Sequence, residues 1–159
     1  MAAEELAGQG KKADLVVGNN VLAHVPNLND FVAGLEILLK PHGVLTLEFP
    51  HLLRLIEGNQ FDTIYHEHFS YFSFTTACEI FSAHGLVVFD VEELPTHGGS
   101  LRVFARHEDD EAKAVGAPVR ELLARELQMG FRRLPTFPCI CEALSQTGQK
   151  QTKPRQRKR

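Results

Sequence analysis

The sequence predicts an α/β fold in which a parallel sheet ends in an antiparallel hairpin. Two short apolar runs, Ala13–Asn19 and residues 44–49, have the continuous hydrophobicity of strands that are buried on both faces of a parallel sheet. A helical pattern follows each run, and two further strands, Leu86–Leu94 and residues 100–106, are joined by a short turn. The order strand, helix, strand, helix, strand, strand therefore predicts crossover helices between parallel strands and a hairpin at the edge.

Capping and turn residues predict where the helices begin and end. The first twelve residues are small and polar and contain glycine, so we expect a loose leader before the first strand. Asn29-Asp30 can cap a helix that runs to about Lys40, where proline and glycine stop it. Thr76 and Glu79 have the spacing of a capping box, which predicts that the next helix begins there.

The character of the chain changes after the hairpin. Residues 13–107 carry the α/β pattern and form the predicted domain. Residues 108–130 are expected to be an acidic linker followed by an amphipathic helix. Residues 131–159 contain three prolines, little hydrophobic periodicity and a basic end, so we predict a disordered basic tail.

Composition and charge exclude several classes of function. The chain is 43% hydrophobic and 23% charged with a formal net charge of −3, which fits one globular domain rather than a disordered chain. Six basic residues and no acidic ones follow Glu142, so the body is acidic and we expect no nucleic-acid partner. No apolar run suits a membrane span, and neither a disulfide framework nor a secretory segment is evident. We therefore expect a cytoplasmic protein with no membrane partner.

The densest chemistry lies in residues 61–71. Tyr65, His66, Glu67 and His68 follow one another, and each side chain can accept, donate or hold a proton. In a strand the two histidines would share one face and Tyr65 and Glu67 the other, whereas in a loop all four can converge on one cleft. Such a run indicates a functional site rather than a partly exposed strand. A His-x-His pair with a carboxylate can also bind zinc or iron, but no further ligand set supports a metal site, and we expect none.

Three motifs together resemble one enzyme family. They are residues 19–26 (NNVLAHVP), 65–73 (YHEHFSYFS) and 97–102 (HGGSLR), in this order. They resemble the S-adenosylmethionine-dependent sugar C-methyltransferases, which act on nucleotide-linked 4-keto-deoxyhexoses. The resemblance covers residues 13–107 and implies the carboxyl half of a class I, Rossmann-like methyltransferase sheet. It also implies S-adenosylmethionine as the cofactor and a nucleotide-linked keto-sugar as the substrate.

The resemblance implies roles for individual residues. His68 would be the general base, and three further residues would support catalysis: Tyr65, Glu67 and His24. Asn19 and Asn20 would lie at the edge of the cofactor. Methylation of the carbon next to a ketone requires removal of a proton and stabilisation of an enolate, and imidazole and phenol groups suit these two tasks. Glu67 can hold an imidazole in one tautomer.

The chain departs from the family at both ends. The family has a cysteine-rich zinc domain, a glycine-rich cofactor loop, an acidic residue for the ribose and a further C-terminal domain, and we expect none of these here. A non-catalytic remnant or interaction module is therefore the alternative to a sugar C-methyltransferase, and a metal-dependent enzyme is a third hypothesis. A sheet that is cut in mid-fold leaves the strand Ala13–Asn19 or its neighbour with an unpaired edge, which predicts self-association.

Overall fold

The computed structural model describes residues 2–131 as a four-stranded mixed sheet with five α-helices. The strands are β1 (Ala13–Asn19), β2 (Leu39–Pro50), β3 (Leu86–Leu94) and β4 (Ser100–His107). The helices are α1 (Ala2–Gly8), α2 (Leu28–Leu38), α3 (Leu52–Glu57), α4 (Phe74–Ser82) and α5 (Ala117–Gln128). None of these helices is long and apolar enough to cross a membrane.

The strand order is β1-β2-β4-β3, which confirms the predicted α/β class and its hairpin. β1 and β2 are parallel, whereas β4 is antiparallel to both β2 and β3. β4 therefore lies between two strands that precede it in the sequence, and β3 lies at the edge. The carboxyl ends of β1 and β2 lie side by side, where open α/β sheets bind their ligands.

The core lies on one face of the sheet. Alternate residues of β2 (Leu45, Leu47 and Phe49) and of β4 (Leu101 and Val103) are buried. They join one hydrophobic cluster with side chains of α2, α4 and α5. This alternation is what a strand shows when only one of its faces is covered.

The other face of β1 is open in the part of the chain that the structure describes. Leu15 and Val17 are each 58% exposed. The prediction that β1 is buried on both faces is therefore wrong for residues 2–131, because their helices cover a single face of the sheet.

Three local predictions also differ from the structure. The expected leader contains α1, whose Ala3 is buried. α2 ends at Leu38 and not near Lys40, because Leu39 is already extended and begins β2. α4 begins at Phe74, since the Ser73 hydroxyl accepts the backbone N–H of Thr76 at 3.1 Å and so takes the capping position expected for Thr76.

The predicted linker is packed against the sheet. The buried Arg106 side chain donates to the carbonyl oxygens of His107, Glu108 and Lys113. The buried Asp110 carboxylate accepts from His42 Nδ1 and from the Lys113 ammonium. The helix that was expected next is α5. The predicted disordered tail lies outside the described residues, apart from Phe131.

Candidate active site

A cleft of about 510 Å³ opens at the carboxyl ends of β1 and β2. It brings together four of the six predicted site residues, namely Asn20, His24, Tyr65 and His68. The other lining residues are Ala23, Pro50, Gln60, Asp62, Thr63, His97 and Gly98. Residues that are far apart in the sequence thus meet in one cleft, as expected for a binding or catalytic site.

Residues 61–71 form a loop and not a strand, which decides between the two conformations that the sequence left open. The loop begins with a short helical turn, Phe61–Thr63. The His68 N–H donates to the carbonyl of Tyr65 at 3.1 Å, and the Phe69 N–H donates to the carbonyl of Ala23 at 2.8 Å. These contacts turn Tyr65 and His68 toward the same cleft and fasten the loop to the segment that follows β1.

The neighbours of His68 define its tautomer. Its Nδ1 lies 3.1 Å from the carbonyl oxygen of Thr63, and a carbonyl can only accept, so Nδ1 carries the proton. In the neutral ring Nε2 therefore holds the lone pair, and it accepts the hydroxyl of Tyr65 at 3.1 Å. Tyr65 also lies against the ring, with centroids 4.3 Å apart. His68 thus has its basic nitrogen beside the hydroxyl of Tyr65.

His24 repeats this arrangement. Its Nδ1 donates to the carbonyl oxygen of Glu67 at 2.9 Å, so Nε2 is the basic nitrogen of the neutral ring. Its ring centroid lies 4.8 Å from that of His68. The exposed carboxylate of Glu67 is not among the groups that line the cleft. Two backbone carbonyls, rather than the side chain of Glu67, hold the two imidazoles.

Asn20 lines the cleft but Asn19 does not. Asn20 has a left-handed backbone (φ 54°), and its N–H donates to the carbonyl of Glu48 at 2.8 Å. Its buried Oδ1 has no hydrogen-bond partner within residues 2–131. Asn19 is exposed at the end of β1. A buried acceptor without a partner is costly, so Asn20 is suited to a ligand that donates a hydrogen bond.

The opposite wall of the cleft is a turn to which the sequence analysis assigned no role. His97 and Gly98 line the cleft, both with positive φ (50° and 77°), and Gln60 Nε2 donates to the carbonyl of Gly98 at 2.8 Å. The positive φ of Gly98 favours glycine there, and a Cβ atom would also displace the side-chain amide of Gln60. The HGG motif signalled this wall, whereas Asp62 and Thr63 had no signal beyond their place beside the motif.

A buried carboxylate lies at the base of the loop. Glu126 of α5 is fully buried, and its Oε1 accepts His51 Nε2–H at 2.8 Å and the Phe74 N–H at 2.7 Å. Its Oε2 accepts the Thr75 N–H and hydroxyl, both at 2.7 Å. Burial alone would raise the pKa of the Glu126 carboxyl, but the hydrogen bonds from His51, Thr75 and Phe74 outweigh it and hold that pKa below its ordinary value. Glu126 is therefore ionised at neutral pH.

The fold and the cleft define an α/β domain of the class I methyltransferase type. A family model for a methyltransferase domain matches residues 1–91, and a model for a C-methyltransferase C-terminal domain matches residues 95–153. The chain therefore belongs to the methyltransferase-domain family.

Known proteins agree with this assignment. The chain is 43% identical over 128 residues to the C-methyltransferase NovU of Streptomyces niveus, which covers 80% of the chain and 30% of NovU. It thus spans less than a third of the length of this curated relative. It also resembles a chain of the complex between the Haloferax volcanii Trm112 methyltransferase activator and a methyltransferase, with a TM-score of 0.51 and 14% identity. That match covers 61% of this chain and 55% of the other, and it shows the fold alone.

The C-terminal match corrects one expectation. The resemblance was expected to end at residue 107, with the C-terminal domain of the family absent. The second family model instead matches residues 95–153, so part of that domain is present. Its described portion includes α5, and with it Glu126, whose contacts at the base of the loop have no signature in the local sequence pattern.

Proposed function

We propose that this chain contributes to methyl transfer from S-adenosylmethionine to a carbon next to a ketone in a nucleotide-linked deoxysugar. The observation that carries the proposal is the pair of His68 and Tyr65 in one cleft, with the basic Nε2 beside the phenol. C-methylation of this kind needs a base for a carbon-bound proton and a donor for the oxyanion that forms. The pair supplies both groups at one place.

His68 is the base in this proposal. Its Nε2 takes the proton from the substrate carbon, while its Nδ1–H remains bound to the carbonyl of Thr63. The Tyr65 hydroxyl, which rests on Nε2, rotates to donate to the oxygen of the substrate ketone as that oxygen gains charge. His24 is the second imidazole of the cleft, with its ring centroid 4.8 Å from that of His68. Glu67 contributes its carbonyl, which holds His24 in place.

Asn20 is the residue that best fits the cofactor. S-adenosylmethionine supplies an electrophilic methyl group on a sulfonium when it is bound. The unpaired Oδ1 of Asn20 suits the ammonium group of its methionine part, because that acceptor is buried and needs a donor. Asn19 remains a second cofactor residue only by the family resemblance, since it lies outside the cleft lining.

The rest of the cleft supports this substrate class. Gln60, Asp62, Thr63 and His97 offer amide, carboxylate, hydroxyl and imidazole groups around the base. Such groups suit the several hydroxyls of a sugar ring, which need donors and acceptors on more than one side. We assign the bound sugar to these four residues of the cleft. We also assign the reaction to the cytoplasm, as the composition suggests.

An interaction module is the second candidate, and the edge strand favours it. Within residues 2–131 β1 pairs with β2 alone, and its Leu15 and Val17 are exposed. An open apolar edge is a template for pairing with another chain. We propose a second copy of this chain as its partner.

Three measurements on the same purified chain separate the two candidates. The purified chain is incubated with S-adenosylmethionine and a nucleotide-linked 4-keto-deoxyhexose, and the sugar is analysed by mass spectrometry for an added methyl group. Exchange of the substrate proton in deuterated water is followed without the methyl donor. A methylated sugar would support the enzymatic function. Absence of both methylation and exchange, with concentration-dependent self-association, would favour the interaction module.

A further inference from the structure

One carboxylate holds both ends of the chain segment that contains the candidate active-site loop. His51 directly follows the cleft residue Pro50, and it donates to Glu126. Phe74 and Thr75 begin α4, a few residues after the loop, and they donate to the same carboxylate. Glu126 therefore closes the base of the loop from α5, a helix that itself contributes no residue to the cleft lining.

The same carboxylate is connected to the opposite wall of the cleft. The backbone N–H of His51 donates to the carbonyl of Gly99 at 3.0 Å. Gly99 follows His97 and Gly98, which line the cleft. The backbone on both sides of the cleft is thus connected to His51, and the side chain of His51 donates a hydrogen bond to Glu126.

Only a carboxylate satisfies this set of donors. Four buried N–H or O–H groups point at the two oxygens of Glu126. A glutamine has a single acceptor oxygen, and its amide N–H groups would face donors. Charge-assisted hydrogen bonds are about twice as strong as neutral ones. The charge of Glu126 therefore strengthens all four of these hydrogen bonds.

We propose that Glu126 is a positioning residue that orders the loop and so keeps His68 in the tautomer with a free Nε2. The inference rests on the proposed function, in which that nitrogen is the base. His68 holds this tautomer only while the Thr63 carbonyl stays within reach of Nδ1. Thr63 and His68 both lie in the loop. If the two ends of the loop are no longer held by Glu126, these two residues can move apart.

Asp110 provides a matched control. It is also a buried carboxylate from the C-terminal part of the chain, and it also accepts a hydrogen bond from a histidine, His42. It lies near the amino end of β2, whereas the cleft lies at the carboxyl end. Loss of its charge should lower stability without reaching the loop.

The test compares Glu126→Gln with Asp110→Asn in the full chain, without substrate or cofactor. Native-state hydrogen exchange follows the amides of His68 and Phe69, and NMR of the ring nitrogens follows the tautomer of His68. We expect Glu126→Gln to lower the protection of both amides by roughly tenfold beyond any global loss. We also expect it to move His68 toward a mixture in which Nε2 carries the proton. Asp110→Asn should change neither readout beyond its global effect.

Two outcomes would overturn the proposal. One is a Glu126→Gln variant that loses stability like Asp110→Asn but keeps the wild-type signals of His68. If Glu126→Gln does not fold, Thr75→Val removes the hydroxyl donor alone; an altered His68 signal then supports the proposal, and an unchanged one refutes it. Neither measurement needs a substrate. A failed methylation assay with an altered His68 signal would therefore count against the proposed function and leave the positioning role intact.

Discussion

Replacement of His68 by asparagine is the most direct test of the candidate site. An asparagine amide can still donate to the carbonyl of Thr63, as Nδ1 of His68 does. It has no basic nitrogen to replace Nε2, so Tyr65 loses its acceptor and the substrate loses its base. The fold should tolerate the change, because the cleft is open and His68 is only partly buried.

The magnitude follows from the loss of one general base. Such a loss typically costs about 10²- to 10⁴-fold in rate, which corresponds to about 2.7 to 5.5 kcal/mol in the barrier. We expect methyl transfer and exchange of the substrate proton in deuterated water to fall together, since they share the proton-abstraction step. Affinity for the sugar nucleotide should change little.

His66→Asn is the matched control. His66 is in the same loop, two positions earlier, and is exposed outside the cleft lining. This variant should exchange the substrate proton at close to the wild-type rate. If His68→Asn exchanges the substrate proton at the wild-type rate, then His68 is not the base and the assignment made from its tautomer is wrong. Equal losses in both variants would instead indicate a general effect on the loop.

Three further predictions address other parts of the structure. Tyr65→Phe should lower kcat by roughly a hundredfold with little change in the KM for the sugar, as expected for loss of an oxyanion donor; a raised KM with unchanged kcat would contradict that role. The stability that Glu126 contributes should be fully present above pH 4.5, its ordinary pKa, and should fall as the pH drops through its lower folded-state pKa. Urea unfolding across this range should show a flatter acid profile for Glu126→Gln, and equal slopes would refute the assignment. Val17→Lys, at the exposed edge strand, should reduce any self-association measured by sedimentation; unchanged association would exclude β1 as the interface.

Local sequence patterns predicted β3 and β4 better than β2 and the helix ends, since β2 begins at Leu39 and not at residue 44. β3 begins and ends where its apolar run does, and β4 differs from its prediction by one residue. The start of α4 was misplaced because Ser73 and Thr76 are both capping residues three positions apart, and local pattern does not decide between them. The helix α1 was missed because a short polar segment is stabilised by packing, here of Ala3, rather than by its own propensity.

The sequence predicted four of the residues that line the cleft but none of the contacts that orient them. The motif located Tyr65 and His68 because their side chains carry the chemistry. The partners that orient the imidazoles are the carbonyls of Thr63 and Glu67, and a backbone carbonyl has no signature in the sequence. The contact between His51 and Glu126 joins residues 75 positions apart, so no local pattern contains it.

The position of β4 has a consequence for how the chain folds. β4 is the last strand of the described sheet, yet it forms a ladder with β2 on one side and with β3 on the other. Until residues 100–107 have left the ribosome, these two earlier strands have no strand between them to pair with. Such non-local pairing slows folding and leaves strand edges open for longer. The nascent chain must therefore reach residues 100–107 before β3 can join the pair of β1 and β2 in one sheet, and a chaperone that shields open strand edges would help it most in that interval.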